Sequence, residues 1–488
     1  VSDANPGLPA PREDGLVLVL GASGYVGSYL VPHLAAMGRR VRASARNRAV
    51  LEGRGWDGVE LVEADALVPA TLAAALEGVE VAYYLVHSMA AGRDFPDLDR
   101  TAADHFRAAA EAAGVRRIVY LGGVIPPDPH SAHLRSRQET GARLRAGRVP
   151  VTELRAGIVV GPGSAAFEVI RDLVNYLPVM VTPRWVRSRS APLALANLLE
   201  YLARLPYLPG TAGQVYEAGG PEVLTYEAIM RQYAEVVGRR PIILAVPVLT
   251  PRLSSYWLRF VTSVPTPVAR ALIDGLSQDV LVDDASLRAL IPQRLLTFRE
   301  AVEAALATER AQPLPARWVD GSLACRAWHP RYAFYAKRVS ARAASRAPAE
   351  ALWREVVRIG GENGYYYGNL LWRVRAALDR LVGGPGLGRG RRDPNELRVG
   401  DTLDCFRVIG VEPGRRLTLL FEMKTPGSGV VELVVSDRAG GAEVQVTGYF
   451  HPAGVWGLLY WYAFLPPHAV LFRGLARAIA RRAEGVGG

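Results

Sequence analysis

Cysteine and lysine are almost missing from this chain. Its two cysteines, Cys325 and Cys405, lie far apart, so no disulfide framework, CxxC redox pair or cysteine-rich metal site can be built. Two buried thiols in a reducing cytoplasm are the expectation. Lys337 and Lys424 are the only lysines, although Lys and Arg together number 58 against 47 acidic residues. The formal charge of +11 would suit a phosphate-bearing cofactor, a nucleic acid or an anionic membrane. A base that is nearly all arginine, in a chain rich in Ala and Gly, reads as GC-rich coding rather than selection for nucleic acid. No zinc-finger, basic-zipper or RNA-recognition pattern is present either.

Low-complexity tracts are also lacking. The opening "VSDANPGLPAPREDG" has no apolar core of an export signal and reads as a flexible leader over 1–14. The longest apolar run, Val455 to Phe472, is interrupted by Pro466, Pro467 and His468. Prolines there would leave backbone groups unpaired in lipid, so the expectation is a packed helix broken near its start, with surface contact to a membrane left open. A chain of 488 residues, half of them apolar, calls for two or three globular domains.

What is present is a strand–helix alternation from Leu16 onward. "LVLVL" precedes "GASGYVG" and an apolar helix to about Met37. "VRASAR", "VELVEAD", "VEVAYYLVHS", "RRIVYLGGV" and "VTELRAGIVVG" follow as short apolar strands. This period implies an α/β fold with a doubly wound parallel sheet. Gly21, Gly24 and Gly27 fall between the first strand and the first helix. With Ala22, Ser23, Tyr25 and Val26 they form a tight turn whose backbone N–H groups can approach a pyrophosphate.

The second strand ends in "RASARNR" and has no carboxylate for a ribose 2′-OH. Arg46, with Arg42 or Arg48, could instead pair with a 2′-phosphate, which favours NADP over NAD. Asp65 and Ala66 follow the third strand on the adenine side. Leu85, Val86 and His87 end the fourth strand toward the nicotinamide ribose, and Gly122 ends the fifth.

Residues 16–305 resemble an atypical member of the extended short-chain dehydrogenase/reductase superfamily, near its NmrA-like branch. "GASGYVG", "YLGGV", "TELRAGIVVGPGS" and "YEAGGPEVLTYEAIM" stand in that family's order. The resemblance implies a Rossmann domain over 15–305 with a small substrate lobe at about 175–305. The lobe's stretch "VPVLTPRLSSYWLRFVTSVPTP" would suit an apolar ligand. Active members carry Tyr-x-x-x-Lys after the fifth strand and a serine at its end. Here Gly122 and Gly123 replace the serine, and His133 and Arg137 take the helical pair. His133 could exchange protons near neutrality and Arg137 could hold ribose hydroxyls. Tyr83, Tyr84 and His87 are alternative proton donors. His130 and His133 form HxxH without further ligands, so no metal site is expected.

A linker is expected over 306–330 and a second domain over 331–488. "RYAFYAKRVSA" reads as a strand and "APAEALWREVVRIG" as a helix. "LDCFRVIGV", "RLTLLFEMK", "GVVELVVSD" and "AEVQVTGYF" form a meander with turns at "EPGR", "TPGS" and "RAGG". A long C-terminal helix completes an α+β layout that resembles the START-like helix-grip fold of the polyketide cyclase and Bet v 1 group. "GYYYGNLLWRVRAALDRLVGGPGLGRGRRDP" also resembles an uncharacterised domain joined to such reductases. That fold implies a cavity that Tyr365–Tyr367, Trp372, Trp456, Trp461 and Phe464 could line, or a core that they fill.

The leading expectation is a cytoplasmic NADP-linked oxidoreductase, with NAD as the other cofactor option, acting on an apolar, lipid-like or isoprenoid molecule. Its rivals are a non-catalytic NADP(H) sensor with a protein partner and a lipid-binding accessory protein at the membrane surface.

Overall fold

The computed structural model describes residues 11–46, 48–52, 54–87, 95–126, 131–246, 272, 275, 278–311, 336–381, 387, 393 and 395–485. The chain divides after Ala311 into two compact units.

The first unit opens with β1 (Leu16–Leu20), α1 (Tyr25–Ala36), β2 (Arg40–Ala45), α2 (Arg48–Glu52), β3 (Glu60–Glu63), α3 (Pro69–Leu76), β4 (Val79–Tyr84), α4 (Phe95–Ala112), β5 (Arg117–Gly123), α5 (Ala132–Arg145) and β6 (Val151–Ala156). Beyond these lie β7 (Val159–Val160), α6 (Ala165–Tyr176), β8 (Val179–Pro183), β9 (Arg189–Ser190), β10 (Leu193–Ala194), α7 (Leu195–Arg204), β11 (Val215–Ala218), β12 (Leu224–Thr225), α8 (Tyr226–Val236), β13 (Ile242–Val246), α9 (Ala285–Leu290) and α10 (Phe298–Ala311). Seven parallel strands pair in the order β11-β6-β5-β4-β1-β2-β3.

β1 is buried along its whole length, which is why it is an unbroken Leu/Val run rather than an alternating one. Val17 and Val19 join a core with Leu30 and Leu34 of α1, while Leu16, Leu18 and Leu20 join another with Leu72 and Phe106. Both faces of the sheet are therefore covered. The strand order reverses between β1 and β4, and such a switch point opens a crevice at the strands' C-terminal ends.

The lobe is not one contiguous block after residue 175. α7 packs Leu198, Leu199 and Leu202 into the α1 core, and β11 returns to the main sheet beside β6. The lobe's own strands are the short pairs β7–β10, β9–β12 and β8–β13. Most of the aromatic stretch expected there, residues 247–267, lies outside the described residues. Residues 306–311 of the expected linker are helical, since α10 runs through Ala311, and the rest of it lies outside the described residues. An apolar face at Phe298, Ala301, Val302 and Ala305 holds α10 on the unit.

The second unit contains β14 (Lys337–Ser345), α11 (Ala349–Val357), α12 (Asn369–Leu381), β15 (Thr402–Leu403), β16 (Phe406–Glu412), β17 (Arg416–Phe421), β18 (Gly427–Arg438), β19 (Gly441–Pro452) and α13 (Gly454–Ala483). Its six strands form one antiparallel sheet in the order β14-β19-β18-β17-β16-β15, so the first strand pairs with the last. The "RAGG" turn needs its glycines. Gly440 sits at φ +82, and a Cβ on Gly441 would fall 2.1 Å from the Ser345 carbonyl oxygen. Cys405 is a buried free thiol, as expected, and Cys325 lies outside the described residues.

α13 is not broken near its start. It runs without interruption through Pro466 and Pro467. Both prolines stand on the exposed side, where water can reach the carbonyls that lose their partners. Its later turns bury Leu475, Ala476, Ile479 and Ala480 against the sheet. By length and composition α13 is also apolar enough to cross a membrane, a property shared by the core helices of soluble proteins.

One buried ion cluster fastens α5 to β6. Glu153 is fully buried, Arg155 Nε donates to its Oε1 at 2.7 Å, and Arg145 meets its other oxygen. Gly122 and Gly141 make room for it, since a Cβ at either would press on the carboxylate. Removing the acid strands two cations, so Glu153→Ala should cost the first unit about 3 kcal/mol, read as a lower urea midpoint.

Candidate active site

The turn after β1 is shaped by two close approaches. Gly21 has φ +89, and a Cβ there would lie 3.0 Å from the Leu85 carbonyl oxygen at the end of β4. A Cβ on Gly27 would lie 2.4 Å from the Gly21 carbonyl oxygen, so only glycine lets α1 start this close to β1. Gly24 is the exposed N-cap of α1 and supplies no side-chain cap. The helix's first N–H groups are thus left for an outside acceptor, and the first turn holds no acid to repel one. These residues fit a pyrophosphate.

The arginines around this turn separate into two groups. Arg46 is exposed, and no described carboxylate pairs with it, so it stands available after β2. Arg42 is committed elsewhere: it donates to the carbonyls of Ala75 and Glu77 at 2.9 and 2.8 Å and pairs with Glu60 at 2.8 Å. It ties the end of α3 to the sheet, which removes it as a phosphate ligand. Arg48 pairs with Glu52 at 3.1 Å. Arg54, which sequence reading passed over, reaches the Ser23 carbonyl at 3.5 Å from the turn after α2. Asp65 uses Oδ1 to accept the Leu67 N–H at 2.9 Å, and the Ala66 carbonyl lies 3.2 Å from His105 Nδ1. Both therefore shape the turn after β3.

Beside the glycine turn, β4 delivers His87. The Leu85 N–H donates to the Leu20 carbonyl at 3.0 Å, which keeps the ends of β1 and β4 together. His87 Nδ1 lies 3.2 Å from Asp99 Oδ2 on α4, and Ser136 Oγ of α5 donates to the same oxygen at 2.9 Å. With Nδ1–H given to Asp99, Nε2 presents its lone pair, and this buried atom has no hydrogen-bond partner among the described residues. The His133 ring lies 5.0 Å from that of His87, centroid to centroid. Arg137, one helical turn along, donates Nη1 to the Leu121 carbonyl at 2.8 Å, while its own carbonyl accepts from Tyr120 at 3.1 Å. His133 and Arg137 thus share a face, and Arg137 pins α5 to the end of β5.

Electrostatics distinguish the two rings. Burial, then the Arg137 cation, then His87 push the His133 pKa down to about 2, so its ring is neutral at pH 7. His87 is lowered less, to about 4, because Asp99 opposes burial and Arg137. The tyrosine alternatives are buried. Tyr83 is fully buried with its hydroxyl on the Leu202 carbonyl at 2.8 Å. Burial raises both Tyr83 and Tyr84 well above the ordinary tyrosine value. His130 lies outside the described residues, and among those described no three His, Cys, Asp or Glu side chains gather as metal ligands. Asp99 and Ser136 went unnoticed in the sequence. Ser136 stands inside "HLRSR", three residues after His133, but nothing there announces a distant acid.

Comparison with known proteins matches these features. Residues 21–149 fit the family model described as NAD(P)H-binding. This segment is an NAD(P)H-binding domain. Residues 330–475 fit a family described as a protein of unknown function, DUF2867. A divinyl chlorophyllide a 8-vinyl-reductase of Zea mays is 29% identical over 268 residues, covering 51% of this chain and 65% of the maize protein. A ceramide reductase of Caulobacter vibrioides is 26% identical, covering 48% of this chain and 74% of that protein. Among solved structures, an NADPH-dependent quinone oxidoreductase from Escherichia coli complexed with NADPH superposes with a TM-score of 0.50 at 23% identity, covering 59% of this chain and 99% of that one. A triphenylmethane reductase from Citrobacter sp. gives 0.50 at 20% identity, covering 60% and 99%. These two likenesses are of fold.

Both histidines have folded pKa values below the unfolded value of about 6.5. Below that pH the unfolded chain takes up protons that the folded one refuses, so stability is greatest above it and falls as pH drops toward 4. His133→Gln should flatten this fall in melting temperature between pH 7 and pH 5. In a pH titration of the imidazole signals by NMR, Asp99→Asn should lower the His87 midpoint and Arg137→Gln should raise it.

Proposed function

We propose that the N-terminal unit is an NADP(H)-dependent oxidoreductase of the atypical short-chain dehydrogenase/reductase type. Its substrate is an apolar carbonyl or enone compound. The observation that carries this reading is the His87–Asp99 pair held against the glycine turn at the switch point of the sheet. When bound, the dinucleotide supplies or takes the hydride. The chain's own residues do the rest. The uncapped start of α1 receives the pyrophosphate, and Arg46 receives the 2′-phosphate by charge-assisted hydrogen bonds.

His87 Nε2 takes the substrate's hydroxyl proton in the oxidation direction and returns it in the reduction direction. Asp99 steadies the imidazolium formed in between, and Ser136 keeps that carboxylate aimed at Nδ1. Arg137 acts on position rather than chemistry, by locking α5 to β5. Supporting an apolar substrate, the Caulobacter relative is named for ceramide, a molecule with long hydrocarbon chains. A dinucleotide sensor without turnover is the second reading. It is favoured by the replacement of the Tyr, Lys and Ser of the resembled family with groups that stay neutral or are bound to backbone.

Calorimetric titration with the four dinucleotides tests the cofactor. NADPH should bind tightest, and Arg46→Ala should weaken NADP(H) selectively; equal losses for NAD(H) would remove the preference. With an apolar enone or ketone panel, His87→Asn should cut turnover by roughly 10²-fold while leaving NADPH affinity in place. NADPH binding with no oxidation across that panel would favour the sensor.

A further inference from the structure

The second unit holds a cavity of about 190 Å³ between its sheet and the helices α12 and α13. Its walls are almost wholly hydrocarbon. Trp372 comes from α12, Trp461 and Phe464 from α13, and Phe421 and Phe450 from the sheet. The other expected aromatics go elsewhere. Tyr365 stacks on Trp372 with its hydroxyl on Asp404 at 3.0 Å, Tyr366 lies under Arg482, and Trp456 is 77% exposed. At the rim, Leu371, Val374 and Leu378 of α12 line the cavity while standing about half exposed. An apolar lip on an apolar hole gives a hydrocarbon a dry way in.

Against this background one cation stands out. Arg375 lines the cavity, and its guanidinium carries five N–H donors. Its described partners are all distant: the Lys424 carbonyl at 3.4 Å, Asp379 Oδ1 at 3.9 Å and the face of Phe421 at 5.8 Å. Asp379 also accepts the Lys424 N–H on Oδ1 at 2.7 Å, and at 3.9 Å it is too far to take a hydrogen bond from the fork, so donors of Arg375 remain for a ligand. His468 also lines the cavity and stacks on Phe472. Burial, with the Arg375 cation, lowers its pKa and keeps it a neutral ring with one N–H to give. Of the hydroxyl-bearing residues on the lining, Thr425 donates to the Gly427 carbonyl at 2.7 Å, Tyr449 donates to Glu432 Oε2 at 3.4 Å, and Tyr460 packs its ring between Phe450 and Phe464. Arg375 and His468 are thus the cation and the imidazole of a lining that includes no carboxylate.

We infer that this cavity is a binding site for a monoanionic amphiphile of the fatty-acid class. The hydrocarbon body lies among Trp372, Trp461 and Phe464, and the carboxylate takes the bidentate donors of Arg375 with His468 as a further donor. The site stands apart from the hydride reading and needs no dinucleotide. Either can fail without the other.

The experiment is an equilibrium titration of the full chain, without dinucleotide, with the fluorescent polyene cis-parinaric acid and with its methyl ester. The acid should bind saturably at one per chain and at least tenfold more tightly than the ester. Arg375→Leu should abolish that preference while keeping ester binding. Gly429 faces the cavity between Phe421 and Phe450, its register partners, and a Cβ there meets Phe421 at an ordinary 3.5 Å. Gly429→Leu should therefore fill the space and remove binding of both probes. The absence of saturable binding to the wild-type chain would overturn the site. Equal affinity for acid and ester in the wild-type chain would overturn the head-group assignment, and that comparison needs no variant to fold.

Discussion

Everything at the candidate active site depends on one backbone contact, where the end of β1 meets the end of β4. The Leu85 N–H closes onto the Leu20 carbonyl, and Gly21 turns away at a left-handed angle because any Cβ would press on Leu85. Two elements distant in sequence are thereby brought into register. One is a helix start with open N–H groups, the other a histidine two residues beyond Leu85. The parallel sheet is the means of holding this junction rigid, and its Val/Leu core packs from both faces for that purpose. The glycines and His87 are best regarded as a single device.

Burial gives that device its chemical character. Three positive or potentially positive groups, His87, His133 and Arg137, crowd around one acid, Asp99. In a poorly solvated pocket they cannot all be charged, and the rings yield first because arginine keeps its proton. His87 differs from His133 by its hydrogen bond to Asp99. The carboxylate at 3.2 Å orients the His87 ring and favours its protonated form.

Much of this was legible in the chain itself, and the reason is locality. Buried Val/Leu runs, a glycine turn at a strand–helix junction and short Gly/Pro turns each record a constraint that neighbouring residues impose on one another. The doubly wound sheet and the meander followed from them. What escaped notice requires residues from different elements. The pairing of His87 with Asp99 and Ser136 joins β4, α4 and α5. The return of α7 and β11 to the main sheet breaks an apparently continuous lobe, because an apolar helix at 195–204 packs equally well on either body. Helix α13 passes through Pro466 and Pro467 at positions that are both exposed, and exposure cannot be read from two letters. Spacing did identify His133 and Arg137 as neighbours on one face, but it could not reveal that burial keeps the first neutral and backbone occupies the second.

The pairing of β14 with β19 also bears on how the second unit is made. Lys337 finds its register partner at Phe450, across nearly the whole length of the unit. The β18–β19 hairpin can form as soon as its own turn has been synthesised, whereas β14 must wait as an unpaired strand until the last one arrives. During that interval its open edge is the stretch of nascent chain most prone to pair with a neighbouring ribosome's product. Its alternation of exposed and less exposed residues, with Lys337, Arg338 and Arg342 along it, sets like charges on that edge, where they repel a second copy.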